Sequence, residues 1–180
     1  MSKYVSPPHG GCGLVDRTLP ETERSAILKE AKGKKKYNIS DDDLSIFYRI
    51  ADGALSPLKG PMGEDEFHKV LDEEVIVRNG EEYTWTIPLS FPVKEEKAKK
   101  IEEGETLTVR NKQNEVIGLL EVTDIFPFDK DKYNKKVYGT EREDHPGARI
   151  FKDDPRDYLL GGKIWALPQP KDGKHGEYLL

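Results

Sequence analysis

Ile50-Ala-Asp-Gly-Ala-Leu-Ser-Pro-Leu-Lys-Gly-Pro-Met62 is the segment around which the rest of the sequence is organised. No other segment combines so much apolar content with so many turn-forming residues, here Gly53, Pro57 and Gly60. Gly53 can supply the left-handed residue that ends many helices. The segment is therefore predicted to close one amphipathic helix, turn sharply and lead into another. Four of its side chains are predicted to fill the core: Ala54, Leu55, Leu58 and Met62.

The helices on either side of this segment follow from caps and periodicity. Ser40 is a residue type that caps helix N-termini, and three aspartates follow it in the first turn, where the helix dipole favours negative charge. The apolar stripe of this helix is predicted to be Leu44, Phe47, Tyr48 and Ala51. The next helix is predicted over residues 64–74, with Phe67, Val70 and Leu71 facing inward.

An earlier helix is predicted over residues 19–31. Thr18 and Glu21 have the spacing of a capping box, and Pro20 suits a first helical turn. Its inner side chains are predicted to be Ile27, Leu28 and Ala31. Gly33 should end the helix, and residues 33–37 are interpreted as a short basic connector.

The second half of the chain changes to strand patterns. Two β-rich runs within residues 75–87 flank Asn79-Gly80, which is a strong hairpin signal. Further predicted elements are an extended piece bounded by Pro88 and Pro92, helices at 94–103 and 129–138, paired strands at 106–110 and 116–126, a loop at 139–147 and a last strand at 164–167. Helices that come first and antiparallel strands that dominate later indicate an α+β fold with a small, mostly antiparallel barrel-like sheet.

Composition sets limits on function. The chain has 180 residues, of which 35% are charged, and its net charge of −5 disfavours a general nucleic-acid binder. Its single cysteine, Cys12, allows no internal disulfide, and no stretch approaches the roughly 20 apolar residues that span a bilayer. We therefore expect a cytoplasmic protein that does not associate with membranes.

Two glycine-rich motifs invite a phosphate-binding interpretation. His9-Gly-Gly-Cys-Gly13 could also pair a cysteine nucleophile with a histidine, but it lacks the lysine of a P-loop and is interpreted as a structural turn. Gly161-Gly-Lys-Ile164 lacks the upstream glycine and the following Ser or Thr of a P-loop, so it is interpreted as a glycine turn before a strand.

Acidic and basic side chains offer weaker candidates. Asp144 and His145 could form an acid/base pair, with Asp124, Asp129 and Asp131 as metal ligands, but the histidines at 9, 68, 145 and 175 lack the spacing of a zinc site. The lysine clusters at 32–36 and 94–100 are interpreted as solvated surfaces, and Trp85 and Trp165 as core or core-edge residues. The prediction is that the chain has no catalytic, cofactor-binding or metal-binding residues.

Several separated stretches resemble one family. Gly53-Ala-Leu-Ser-Pro-Leu-Lys-Gly-Pro-Met62 resembles the GAxSPLxGFM signature of the ATP sulfurylases (sulfate adenylyltransferases). Further matches in the family's order and spacing are Pro8-His-Gly-Gly11 with Leu14, Val15 and Arg17, then Asp124-Ile-Phe126, Asp129-Lys130, Val137-Tyr-Gly-Thr140, His145-Pro-Gly147 and Gly161-Gly162. This sequence departs from the family pattern at Pro61, Gly63 and Pro92.

The resemblance implies the N-terminal, PUA-like domain of that family, over residues 1–167, with residues 168–180 as a linker or tail. In the complete enzymes of that family, which use ATP and magnesium, ATP and sulfate bind in the following domain, through a histidine-containing GRDHAG-type loop and a QxRNPxH motif. That motif is absent, since Arg78-Asn79 and Arg110-Asn111 both lack a glutamine two residues upstream. The resemblance therefore implies no cofactor in this chain itself.

Two functional hypotheses follow. The first is a non-catalytic domain or subunit whose partner is the catalytic domain of an ATP sulfurylase, in cis or in trans; the complete enzyme makes adenosine 5′-phosphosulfate and pyrophosphate from ATP and sulfate. The second is a freestanding PUA-like RNA-binding module, which the acidic charge balance disfavours. Homo-oligomerisation is left open under either hypothesis.

Overall fold

The computed structural model describes residues 13–140, 142 and 144–169. In this part of the chain the fold comprises two compact units. Unit 1 contains the residues up to Gly60, the segment Thr106–Glu121 and the residues from Lys163 onward. Unit 2 contains Pro61–Glu105 and Val122–Gly162. None of the described helices combines the length and the hydropathy needed to cross a bilayer.

Helices and strands are interspersed along the chain. The helices are α1 (Arg24–Glu30), α2 (Asp41–Ala51), α3 (Glu64–Glu73), α4 (Glu95–Ala98), α5 (Lys130–Val137) and α6 (Pro146–Asp153). The strands are β1 (Lys36–Asn38), β2 (Val75–Arg78), β3 (Glu81–Thr84), β4 (Phe91–Val93), β5 (Thr106–Arg110), β6 (Val116–Pro127) and β7 (Tyr158–Ala166). The principal sheet has the order β1-β5-β6-β7-β4, and β2 and β3 form a separate hairpin. The predicted α+β class with a mostly antiparallel sheet is confirmed.

The helix predicted over residues 19–31 is shorter and begins differently. A 3-10 turn, Glu21–Glu23, precedes α1, and its N-terminus receives no side-chain cap. The predicted capping box is wrong because Thr18 is used elsewhere: its hydroxyl donates to the Ala51 carbonyl, and its backbone bridges to Ala166. A second 3-10 turn ends at Gly33, as predicted.

The basic connector contains a strand that the sequence did not reveal. Lys36, Tyr37 and Asn38 form β1, which pairs in parallel with β5. Tyr37 is buried between two exposed neighbours, which is the alternation of a strand with one buried face. Three residues are too few for this alternation to stand out among lysines, so only the pairing with β5 defines the strand.

The α2 helix confirms its predicted cap and, at Phe47 and Ala51, half of its predicted stripe. The Ser40 hydroxyl accepts a hydrogen bond from the Asp43 backbone N–H at 3.1 Å. The buried face consists of Asp43, Phe47, Ile50 and Ala51. Leu44 and Tyr48 are only half-buried, so the inward face is rotated towards Ile50 from the predicted position.

Replacing Ser40 with alanine is expected to destabilise the protein by about 1 kcal/mol, because the Asp43 N–H loses its acceptor. Ser45→Ala is the matched control, since Ser45 is exposed within the same helix and alanine has the higher helix propensity. Urea unfolding measures both variants. Equal effects of the two substitutions would contradict the capping role.

The segment 50–62 turns as predicted. Gly53 has a φ of +84°, and a Cβ at this position would also meet Leu14 and the Val15 carbonyl. The Ser56 hydroxyl donates to the Gly53 carbonyl and accepts from the Val15 N–H, which ties the turn to the preceding chain. The predicted burial is confirmed for Leu58 and Met62, but Ala54 is exposed and Leu55 is half-buried.

Unit 2 confirms the predicted hairpin and corrects several boundaries. Asn79 and Gly80 both have positive φ and connect β2 to β3. The inward side chains predicted for α3, Phe67, Val70 and Leu71, are buried. Pro92 lies inside β4, opposite Leu159, instead of bounding it. The helix predicted over 94–103 is only the single turn of α4.

Residues 139–147 were predicted to be a loop, but α6 begins within this range at Pro146. His145 caps α6, because its Nδ1 accepts from the Ala148 N–H. Histidine is a weak signal for a helix start, which explains why α6 was not predicted. The last strand also begins six residues earlier than predicted, at Tyr158 instead of residue 164.

An aromatic cluster forms the core of unit 2. The Phe67 ring lies 5.5 Å from that of Phe126 and 6.3 Å from that of Tyr133, between centroids. Phe128 and Phe151 pack on Tyr133 in turn. Burial raises the pKa of Tyr133 well above its ordinary value of 10.0, because the phenolate would lose its hydration.

This burial predicts a loss of stability at alkaline pH. The contribution of neutral Tyr133 is complete below pH 10 and declines as the pH rises, because only the unfolded chain can ionise the phenol. Each pH unit above 10 should cost about 1.4 kcal/mol from this residue. Tyr133→Phe keeps the ring and removes the phenol, so its free energy of unfolding should decline less steeply between pH 10 and 11. Identical alkaline losses in both proteins would contradict the assignment.

Candidate functional site

The two residues considered for acid/base chemistry, His145 and Asp144, have structural roles. The imidazole of His145 caps α6 and lies 5.0 Å from the Tyr138 ring. Asp144 is exposed and pairs with Arg142 instead of with His145. Nδ1 of His145 is committed to the N-terminus of α6 and Asp144 is paired with Arg142, so the acid/base pair considered from the sequence does not form between these two side chains.

The three aspartates considered as metal ligands lie on two elements, Asp124 in β6 and Asp129 and Asp131 at the start of α5. Asp129 caps α5 by accepting from the Lys132 N–H. Asp124 accepts from the Glu64 N–H and from the Thr123 hydroxyl. Within the described residues, no group of three or more histidine, cysteine, aspartate or glutamate side chains has the geometry to hold a metal ion.

The glycines at 161 and 162 lie inside β7, so the prediction of a turn before a strand is wrong. A Cβ at Gly161 would lie 2.5 Å from the Gly63 Cα and 2.7 Å from the Met62 carbonyl oxygen. Gly162 donates its N–H to the Pro61 carbonyl. Gly161 therefore serves close backbone packing within unit 2. His9, Cys12 and His175 lie outside the described residues.

The two tryptophans are half-buried, as expected for core-edge residues. The Arg17 guanidinium lies 4.3 Å from the centroid of the Trp165 ring, and its Nε donates to the Ile164 carbonyl. Burial lowers the pKa of Arg17, because the charged form is partly removed from water. Arg17, one of the residues that carry the family resemblance, thus holds the start of the described chain against β7.

Unit 1 contains a mainly apolar groove of about 360 Å³, which we call the Leu28 groove. Its lining side chains come from α1, α2, the β5–β6 turn, β6 and the chain after β7. They are Arg24, Leu28, Tyr48, Asn111, Glu115, Val116, Ile117, Leu167 and Pro168. Leu28 was predicted to be buried, yet 38% of it is exposed in this groove.

Unit 1 also contains a second, more polar cavity of about 440 Å³ near the N-terminus of α2. Ser40 and Asp41 line it together with three asparagines, Asn38, Asn111 and Asn114. The Asn111 side chain is bonded to Glu115, and Asp41 is paired with Lys112. These bonds stabilise the β5–β6 turn and the start of α2.

The sequence model of the PUA-like domain family matches residues 6–169, which is most of the chain. The chain belongs to the PUA-like domain family. This PUA-like domain is also similar to curated proteins named sulfate adenylyltransferase. It is 43% identical to the one from Pyropia yezoensis, over 91% of this chain and 38% of that protein. It is 35% identical to the one from Staphylothermus marinus, over 92% of this chain and 42% of that protein.

The PUA-like domain therefore spans about two-fifths of the length of these relatives. Among solved structures, it superposes with a TM-score of 0.64 on a chain from the hexameric APS kinase of Thiobacillus denitrificans. That match has 22% sequence identity and covers 92% of this chain and 28% of the other, so it supports the fold. The resemblance to sulfate adenylyltransferases and the PUA-like fold that it implied are confirmed.

The Leu28 groove is the feature of this PUA-like domain that sequence reasoning missed. The periodicity of α1 groups Leu28 with Ile27 and Ala31, although adjacent residues on a helix point about 100° apart. Ile27 and Ala31 are buried, while Leu28 is directed to the surface. The sequence signal for the groove is therefore Leu28, an apolar residue that lies outside the buried face of its helix.

Proposed function

We propose that this PUA-like domain is the non-catalytic N-terminal domain or subunit of a sulfate adenylyltransferase. Its partner would be the catalytic domain, in the same chain or in a separate one. The observation that carries the proposal is the coverage: the match extends over about nine-tenths of this chain but only 38–42% of the relatives. The remaining three-fifths of those proteins have no counterpart here and are where we place the reaction.

The roles of the described side chains support placing the reaction outside this domain. His145, Asp124 and Asp129, which sequence analysis considered for catalysis or metal binding, form helix caps and backbone hydrogen bonds. We therefore assign no catalytic, cofactor-binding or metal-binding residue to this chain, and we assign ATP and magnesium to the catalytic domain.

An exchange assay tests the proposal. The purified 180-residue protein is expected to show no sulfate-dependent exchange of pyrophosphate into ATP, while the full-length P. yezoensis enzyme serves as the positive control. A chimera in which this chain replaces the matched segment of the P. yezoensis enzyme is expected to be active. Exchange by the isolated protein, or a folded but inactive chimera, would contradict the proposal.

RNA binding by a freestanding module has less support. Lys34 and Lys99, one from each lysine cluster, form ion pairs with Glu30 and Glu95 respectively, each four residues earlier in the chain. Phosphate contacts would require such lysines to exchange their acidic partners for RNA. Binding of single-stranded RNA that weakens steeply between 50 and 200 mM salt would favour this alternative.

A further inference from the structure

We infer that the Leu28 groove is the surface of unit 1 on which the catalytic domain of the complete sulfate adenylyltransferase docks. This inference rests on the proposed function and adds to it the contact surface and the chemistry of the contact. The docked element would be an apolar side chain of the catalytic domain, with a hydrogen-bond acceptor beside it.

Five of the nine residues that line the groove are apolar, and a buried cluster supports them. Below them lies a buried cluster of Ile27, Leu119 and Leu167, against which Leu19, Val116 and Trp165 also pack. Because the walls are continuous with this cluster, an apolar side chain entering the groove would meet a preformed surface. A volume of about 360 Å³ accommodates one or two large side chains.

The polar groups at the rim are of the kinds that recur at the centres of protein interfaces. Arg24 is held in place by Glu21 and by the Pro168 carbonyl. The Tyr48 hydroxyl is a hydrogen-bond donor at neutral pH, like that of any tyrosine, and burial raises its pKa further. Among the described residues, no hydrogen-bond partner for this hydroxyl is present. Tyrosine and arginine beside an apolar pocket are typical of residues that dominate binding energy.

The position of the groove along the chain favours the catalytic domain as its occupant. The family match extends to residue 169, and Pro168 lines the groove. In the proposed complete enzyme, the chain leaving this domain would therefore start at the edge of the groove. A short connection from that edge would give a docked element a high effective concentration.

Other exposed apolar residues do not lie in an apolar groove with polar groups at its rim. Leu14 is exposed in unit 1, and Val77, Ile87 and Ile150 are exposed in unit 2. They line neither of the two cavities described above. Single exposed apolar residues are normal on protein surfaces, whereas a concave apolar surface indicates binding.

Photo-crosslinking in the active chimera tests the inference. Benzoylphenylalanine at position 28 is expected to crosslink to residues of the P. yezoensis portion, as mapped by mass spectrometry. The same label at position 150, where Ile150 is also an exposed helical residue, is the matched control and should give no such crosslinks. Crosslinks from position 28 only to a second copy of this domain, or to nothing, would overturn the inference.

A substitution supplies an independent measurement. Leu28→Asp in the chimera is expected to increase cleavage by trypsin between the two domains about tenfold, because an undocked connection is exposed to the protease. Ile150→Asp should leave the cleavage rate unchanged. The melting temperature of the isolated 180-residue protein should change little with Leu28→Asp, which would separate docking from folding.

The outcomes distinguish the two proposals. An inactive wild-type chimera that folds contradicts the proposed function and the docking surface together. An active chimera with crosslinks from position 150 but not from position 28 contradicts the docking surface alone. If the chimera is insoluble, the label is placed in the full-length P. yezoensis enzyme at the residue aligned with Leu28, and the same crosslinks are expected.

Discussion

Replacing Gly161 with alanine is expected to destabilise the protein by about 3 kcal/mol. The added Cβ would lie 2.5 Å from the Gly63 Cα, 2.7 Å from the Met62 carbonyl oxygen and 2.9 Å from the Gly63 N. All three contacts are with backbone atoms, which cannot move aside as a flexible side chain would. The segment at residues 62 and 63 must therefore shift away from β7 and weaken the hydrogen bond from Gly162 to Pro61.

Gly33→Ala is the control for this prediction. A Cβ at Gly33 would meet nothing within 4 Å. Its effect should therefore be within about 0.5 kcal/mol of zero, or slightly stabilising through reduced freedom of the unfolded chain. Urea unfolding followed by circular dichroism measures both variants. A Gly161→Ala protein as stable as Gly33→Ala would show that the close approach of β7 to Gly63 is wrong.

The second large effect concerns the inward face of α2. Ile50→Ala is expected to cost about 3–4 kcal/mol, because Ile50 is fully buried and its truncation leaves a cavity. Leu44→Ala in the same helix should cost only about 1 kcal/mol, since Leu44 is half-buried. The two substitutions remove a similar volume, so the comparison isolates burial.

This pair of variants distinguishes the buried face of α2 seen in the structure from the face predicted by the sequence pattern. The predicted stripe included Leu44 and excluded Ile50, so the pattern alone would assign the larger cost to Leu44. Chemical denaturation at 25 °C distinguishes the alternatives. A cost for Leu44→Ala equal to or larger than that for Ile50→Ala would favour the stripe predicted from periodicity.

Strong local signals made much of the fold predictable. Ser40 caps α2 through its own hydroxyl, and Asn79-Gly80 provides the positive φ values that a tight hairpin needs. Gly53 likewise ends its helix through a conformation that glycine adopts without steric cost. In each case the residue acts on backbone within a few positions of itself, so the sequence carries the information directly.

Weak or competing sequence signals account for the elements that were predicted wrongly or missed. Thr18 has the spacing of a capping box, but its hydroxyl bonds to Ala51, which is 33 residues away. The three residues of β1 become a strand only through pairing with β5. Sequence spacing cannot reveal such partners, because they depend on where distant segments come together.

For the candidate site too, local motifs were predictable from the sequence and long-range contacts were not. The motif at residues 53–62, together with the other matching stretches in the same order, indicated the family, and the comparisons confirm it. The Leu28 groove was not predictable, because its lining residues come from segments up to about 140 positions apart in the sequence. A hydrophobic pattern ranks residues by type and cannot tell which apolar side chain remains uncovered.

By itself, the sequence determined the family, the α+β class, the cap of α2, the turn at Gly53 and the hairpin, because these depend on local backbone preferences and on motif spacing. The tertiary structure alone decided which face of α2 is buried, why Gly161 must lack a side chain and where an apolar groove remains open. Each of these depends on the shape of a surface that distant segments build together, and burial is a property of that surface, not of a residue's neighbours in the chain.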